Sequence, residues 1–82
     1  MPYRLSLQEA INDPLWPILV ETAKSHPLFK YRLAYARDHI FPQNPTISPN
    51  ELAIRLGCSY GEALVILYEL QKEAGKGAHH SR

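Results

Sequence analysis

Eighty-two residues, nine Lys and Arg against eight Asp and Glu, and 45% hydrophobic content describe one small domain of nearly zero net charge. A chain of this length hides roughly 60–65% of the surface its unfolded form exposes, enough for one core but not for a deep catalytic cleft inside it. The formal charge of +1 gives no bulk attraction for nucleic acid or anionic membrane, and a single cysteine excludes an intramolecular disulfide or a cysteine-built zinc site. No apolar run reaches the ~20 residues of a transmembrane helix, and Met1-Pro2-Tyr3-Arg4 lacks the pattern of a signal peptide, so the expectation is a cytoplasmic protein with no membrane partner.

Helix starts are the clearest local signals. Ser followed three residues later by Glu occurs at Ser6/Glu9, Ser48/Glu51 and Ser59/Glu62. In such a capping box the hydroxyl accepts one orphan backbone N–H while the carboxylate reaches back to another. Leu5 with Ala10, Ile47 with Leu52 and Cys58 with Ala63 have the spacing of hydrophobic staples across these starts. Pro49 after Ser48 suits the first helical position, because its φ is already fixed and its missing N–H would have been an orphan.

In chain order, the first helix is predicted over 6–12 and ends at Asn12-Asp13-Pro14. The second runs over 15–24 to Ser25-His26-Pro27, and the third over 27–40. Phe41 to Thr46 is a loop carrying two prolines; a fourth helix spans 48–56 and is closed by Gly57 in a left-handed cap position. A fifth covers 59–74, and the Gly-rich stretch 75–82, without an apolar anchor, reads as a disordered tail after a single domain over 1–74. No period-2 alternation competes, so the predicted class is all-α with five helices. Phe29, Leu33, Ala36 and Ile40 make one buried stripe, and Ala63, Ile66, Leu67 and Leu70 make another. Leu52, Ala53 and Leu56 complete the predicted core between them.

The run from Glu51 to Leu67 carries a recognisable order of roles. Small Ala53 lets two helices approach, Leu56 fills the space beneath the turn, Gly57 bends the chain, and Cys58 tucks in as a small hydrophobe. Ala63, Ile66 and Leu67 line the inner face of the second helix. This pattern resembles the helix-turn-helix unit of the winged-helix and repressor superfamily, over about 48–73 of the chain. The resemblance implies a C-terminal helix-turn-helix unit. A winged relative would continue into a β-hairpin, whereas only the Gly-rich tail follows Ala74, so no complete wing is expected.

Fold does not fix function, and a helix that reads DNA is judged by its outward residues. Tyr60, Leu64 and Tyr68 fall on one strip of the fifth helix with Val65 beside it, and Glu62, Glu69 and Glu73 fall on another. Three carboxylates would repel phosphates, while an aromatic and aliphatic strip suits a protein surface. Tyr60, Leu64, Val65 and Tyr68 are therefore the candidate protein interface; the competing reading is that the first two helices cover them. The expected function is a non-enzymatic adaptor or accessory subunit, docking on a larger protein. By the analogy of small wingless domains, that protein belongs to a transcription or replication assembly built on an RNA or DNA polymerase.

The alternative is a DNA-binding transcriptional regulator acting as a homodimer. Residues 24–37 hold Lys24, Lys30, Arg32 and Arg37 with no acid. The candidate nucleic-acid contacts are Lys30, Arg37 and Arg55 to phosphates and Tyr60 to a base, with any such binding weak or indirect. Arg32 lies on the opposite side of the third helix from Lys30 and Arg37, so the bases form no continuous stripe and read more simply as solvated surface. Tyr31 and Tyr35 stand between them as stacking groups or core edge.

No catalytic constellation and no metal site is expected. His26, His39, His79 and His80 lack ligand spacing, with Cys58 their one thiol companion. The four glycines mark a turn, a helix start and the tail rather than a phosphate loop, and no cofactor is expected.

Overall fold

The computed structural model describes the backbone of residues 6–80 and the side chains of 6–75. It is all-α: α1 (Leu7–Ile11), α2 (Trp16–Lys24), α3 (Phe29–Tyr35), α4 (Pro49–Leu56) and α5 (Tyr60–His80), with no strand among the described residues. α3 does not stop at Tyr35 but continues as a wider π-helical turn over Ala36–Ile40. There the Phe41 N–H donates to the Ala36 carbonyl at 2.8 Å, one residue beyond the α register. Pro42, with no N–H, cannot extend the ladder further.

The three serines cap as their spacing requires. At α1 both halves of the box form: the Glu9 N–H donates to Ser6 Oγ at 3.2 Å, and the Ser6 N–H to Glu9 Oε1 at 3.0 Å. The Glu51 N–H donates to Ser48 Oγ at 3.1 Å, and the Glu62 N–H to Ser59 Oγ at 3.0 Å. α2 begins differently, with Asp13 Oδ1 accepting the Leu15 N–H at 2.8 Å across Pro14.

Gly57 ends α4 in the left-handed conformation, φ 68° and ψ 34°, and its N–H donates to the Ala53 carbonyl at 2.8 Å. Helix, Gly-Cys-Ser turn and helix follow one another over Pro49 to His80. α5 outlasts its predicted end at 74: six residues of the expected tail, 75–80, are helical, and 81–82 lie outside the described residues. Once nucleated, a helix adds one hydrogen bond per further residue fixed, which favours its continuation past Gly75.

α5 is the central element and touches every other helix. Glu62, Ala63, Leu64, Val65, Ile66 and Leu67 are six consecutive buried residues, more than a full turn, so this part of α5 is enclosed on every side. α3 and α4 cover one side with Phe29, Ala36, Ile40, Leu52 and Ala53, the stripes expected from the sequence. α1 and α2 cover the other with Ala10, Trp16, Leu19, Val20 and Ala23. Each large apolar side chain so enclosed contributes about 1.5–3 kcal/mol.

Candidate functional site

Two of the four candidate interface residues belong to the core. Leu64 is 4% exposed and Val65 fully buried. Tyr68 is half-buried, with its ring edge-on to Trp16 at 5.4 Å between centroids and 80° between planes. Tyr60 is half-buried at the start of α5. The strip is thus not an open interface: Leu64 lies beside Ala10, Trp16 and Leu19, and Tyr68 meets Trp16, because α1 and α2 must bury their own apolar side chains against α5.

Gly61 shows how closely α2 is seated. A Cβ there would lie 2.9 Å from Leu19 Cδ1, so α2 rests on the N-terminal turn of α5 through the space a glycine leaves. That turn is where a recognition helix presents its base contacts.

The acidic strip is not a free outer face either. Glu62 is 6% exposed and meets Arg32, Nη1 to Oε1 at 2.9 Å, while its Oε2 has no hydrogen-bond partner among the described residues. Glu69 meets Lys24 at 3.0 Å, and Glu73 meets Arg37 through two hydrogen bonds of 2.9 and 3.1 Å. Three of the four bases of 24–37, Lys24, Arg32 and Arg37, are therefore paired with the three carboxylates of α5. The paired carboxylate also holds the Arg37 guanidinium above its already high pKa, first through its hydrogen bond.

Among the candidate phosphate contacts, Arg37 is thus committed to Glu73, and Arg55 lies 3.6 Å from Glu51 one helical turn back. Lys30 sits over the Tyr31 ring at 5.7 Å from its centroid, with no carboxylate at ion-pair distance among the described residues.

Two other faces are open. Leu28, Tyr31 and Tyr35 of the α3 side join Arg32, Arg55 and Leu56 around a shallow recess of about 340 Å³. Tyr31 is 64% exposed and Tyr35 and Leu28 also stand in solvent. On the opposite side, Ala10, Trp16, Leu19 and Leu64 floor an apolar groove of about 410 Å³, edged by Leu15, Ile18, Thr22 and Asp13. Helical periodicity alone does not mark this groove. Its signal was the surplus on α2, where Leu15, Trp16, Ile18, Leu19 and Val20 span too wide an arc for a short helix to bury against one neighbour.

The remaining polar groups have local work. His26 Nδ1 accepts the Leu28 N–H at 3.0 Å, and the His39 ring lies tilted against Tyr35 with centroids 5.0 Å apart. Burial, with Glu62 adding to it, pushes the Cys58 thiol above its ordinary pKa, the opposite of an activated nucleophile. No three His, Cys, Asp or Glu among the described residues come close enough to hold a metal ion, and no helix among them is long and apolar enough to cross a membrane. No protein-family model matches the chain, and no curated protein or solved structure gives a match.

Proposed function

We propose that this chain is a non-enzymatic helical adaptor, an accessory subunit that docks on a larger protein through the α3 face formed by Leu28, Tyr31 and Tyr35 with Arg55 beside it. The observation that carries this reading is the pairing of two facts about aromatic and apolar groups. The α5 strip expected as the protein interface is buried at Leu64 and Val65 and half-buried at Tyr60 and Tyr68, while large side chains on α3 remain in water, where Tyr provides contact area at small entropic cost. The cations at this face, Lys30 and Arg55, fit a partner surface that offers carboxylates around apolar pockets. The kind of partner, a component of a transcription or replication assembly, comes from the helix-turn-helix resemblance of 48–73 by analogy.

The regulator that binds DNA as a homodimer is less well supported. α2 occupies the N-terminal turn of α5, and Arg37 is held by Glu73. The two readings part in one experiment. For an adaptor, affinity for duplex DNA at physiological salt is weaker than ~1 μM and falls steeply as salt rises. Capture of a partner from the native source then survives nuclease, and is lost with Tyr31→Ser/Tyr35→Ser while the thermal melt of that variant stays close to the parent's. A tight, sequence-dependent complex with duplex DNA that tolerates salt overturns the adaptor reading in favour of the regulator.

A further inference from the structure

The groove between α1 and α2 differs in charge as well as in place from the α3 face. Its floor and walls are apolar: Trp16, Leu19 and Leu64 below, with Leu15 at 65% and Ile18 at 59% exposure along the lip. Exposed leucine and isoleucine beside an open concavity are an unfilled packing surface rather than scattered surface hydrophobes.

Among the described residues, the charged groups of α1 and α2 before Lys24 are all acidic, and the first base along α5, Lys72, lies over the Tyr68 ring and beside Glu69. Asp13 lines the groove, Glu9 lies on α1 next to Ala10, and Glu21 stands on α2 one turn after Ile18. No Lys or Arg occurs between residues 6 and 23, and Lys24 turns away to Glu69 on α5. An apolar trough lined by Asp13, on a segment that carries Glu9 and Glu21 and no base before Lys24, disfavours an anionic lipid surface or a nucleic acid and matches a helix whose apolar ridge is flanked by bases. The volume of about 410 Å³ has room for two or three large aliphatic side chains.

We infer that the α1–α2 groove is a second docking site, and that its occupant is a basic amphipathic helix of a partner protein. Aliphatic residues one turn apart enter the groove between Leu15, Ile18 and Trp16, and Lys or Arg on the helix flanks face Asp13, Glu9 and Glu21. The inference does not depend on the α3 face. Together the two faces would let one small domain join two proteins.

Trp16, the chain's one tryptophan, lines the groove and reports its occupancy by emission. The probe is a synthetic helical peptide of about 14 residues with Leu at i, i+4 and i+7 and Lys on the flanks. Beside it stand a version with Glu for every Lys and a scrambled version. The expected result is a saturable blue shift of Trp16 emission by the Lys-flanked peptide in the range of ~10 μM, at least tenfold tighter than either control.

Leu15→Ser/Ile18→Ser, at exposed positions, abolishes the shift without moving the melt. Asp13→Asn/Glu21→Gln, which keeps the acceptor for the Leu15 N–H, narrows the preference for Lys over Glu flanks to threefold or less. Tyr31→Ser/Tyr35→Ser leaves binding unchanged, so failure of the α3 reading and failure of this one are distinct. Equal binding of the Lys- and Glu-flanked peptides, or no shift from either, overturns the proposal. So does light scattering that finds a dimer of the parent chain but a monomer of Leu15→Ser/Ile18→Ser, since the occupant is then a second copy.

Discussion

Arg32 and Glu62, 30 positions apart, meet at 2.9 Å where α3 crosses the first turn of α5. The carboxylate is almost fully buried and only one of its oxygens is hydrogen-bonded, while Arg32 also reaches toward the Gly57 carbonyl at 3.5 Å. A buried pair of this kind often adds little beyond a well-packed apolar pair, yet removal of one partner strands a charge. Arg32→Met should therefore cost about 3 kcal/mol in urea unfolding. Arg32→Met/Glu62→Leu should recover to within about 1 kcal/mol of the parent. A single variant as stable as the parent would mean that Glu62 finds water or another donor, and the pair would lose its role in joining α3 to α5.

Cys58 gives a pH signature. Burial disfavours the thiolate, and the nearby Glu62 carboxylate disfavours it further against the smaller opposing effect of Arg32, so the folded thiol ionises at higher pH than the unfolded one. The uncharged thiol is then the form the fold prefers. Its contribution is fully present below the unfolded thiol's pKa of about 8.5 and is lost as pH rises through the folded value. Alkylation of Cys58 by iodoacetamide should accordingly follow a pH profile displaced upward in native protein relative to protein in urea. Superimposed profiles would contradict the burial.

The turn between α4 and α5 separates backbone cost from packing cost. A Cβ at Gly57 meets nothing within 4 Å, so Gly57→Ala loses only the freedom to sit at φ 68° and should destabilise by about 1–2 kcal/mol. Gly57→Asn, which tolerates the left-handed region, should cost less. At the other end of α4, Ser48→Ala removes the acceptor for the Glu51 N–H and should cost about 1 kcal/mol. Thermal melts in which Gly57→Ala falls further than Gly57→Asn, and in which Ser48→Ala falls below the parent, would check both assignments.

Local chemistry made the helices legible, and long-range docking made the site obscure. Ser6, Ser48, Ser59 and Gly57 each act within four residues, so their roles can be read from a short window. The stripe Phe29, Leu33, Ala36, Ile40 and the stripe Ala63, Ile66, Leu67, Leu70 follow from helical periodicity, and all are buried except Leu33, which is half-buried against the same core. What periodicity cannot give is the choice between two apolar faces of one helix. Leu64 and Val65 read as readily as exposed strip as core, because their cover comes from α1 and α2, four dozen residues upstream or thereabouts. The same limit applies to charge. Glu62, Glu69 and Glu73 read as an outer strip and the bases of 24–37 as solvated surface, whereas Lys24, Arg32 and Arg37 pair with those three carboxylates across the fold. Gly61 read as a helix-start residue, and its packing role beneath Leu19 appears only once α2 is in place.

Leu64 decides between the covered strip and the open one. It is 4% exposed and forms part of the groove floor beside Trp16 and Leu19, so an aspartate there would bury a carboxylate with no partner on α1 or α2 able to pair with it. A domain of this length has a total stability of about 4–12 kcal/mol, and a buried unpaired charge together with lost apolar contact removes several kcal/mol of it. Leu64→Asp should thus lower the melt by tens of degrees or abolish cooperative unfolding, as followed by far-UV circular dichroism, while Leu64→Ala should cost about 2–5 kcal/mol through the cavity it leaves. Tyr31→Ser/Tyr35→Ser, at exposed positions, should melt within a few degrees of the parent. If Leu64→Asp instead melted like the parent chain, α1 and α2 would not be seated on α5 in solution. The strip Tyr60, Leu64, Val65 and Tyr68 would then be open to a partner, and the docking face would move from α3 back to α5.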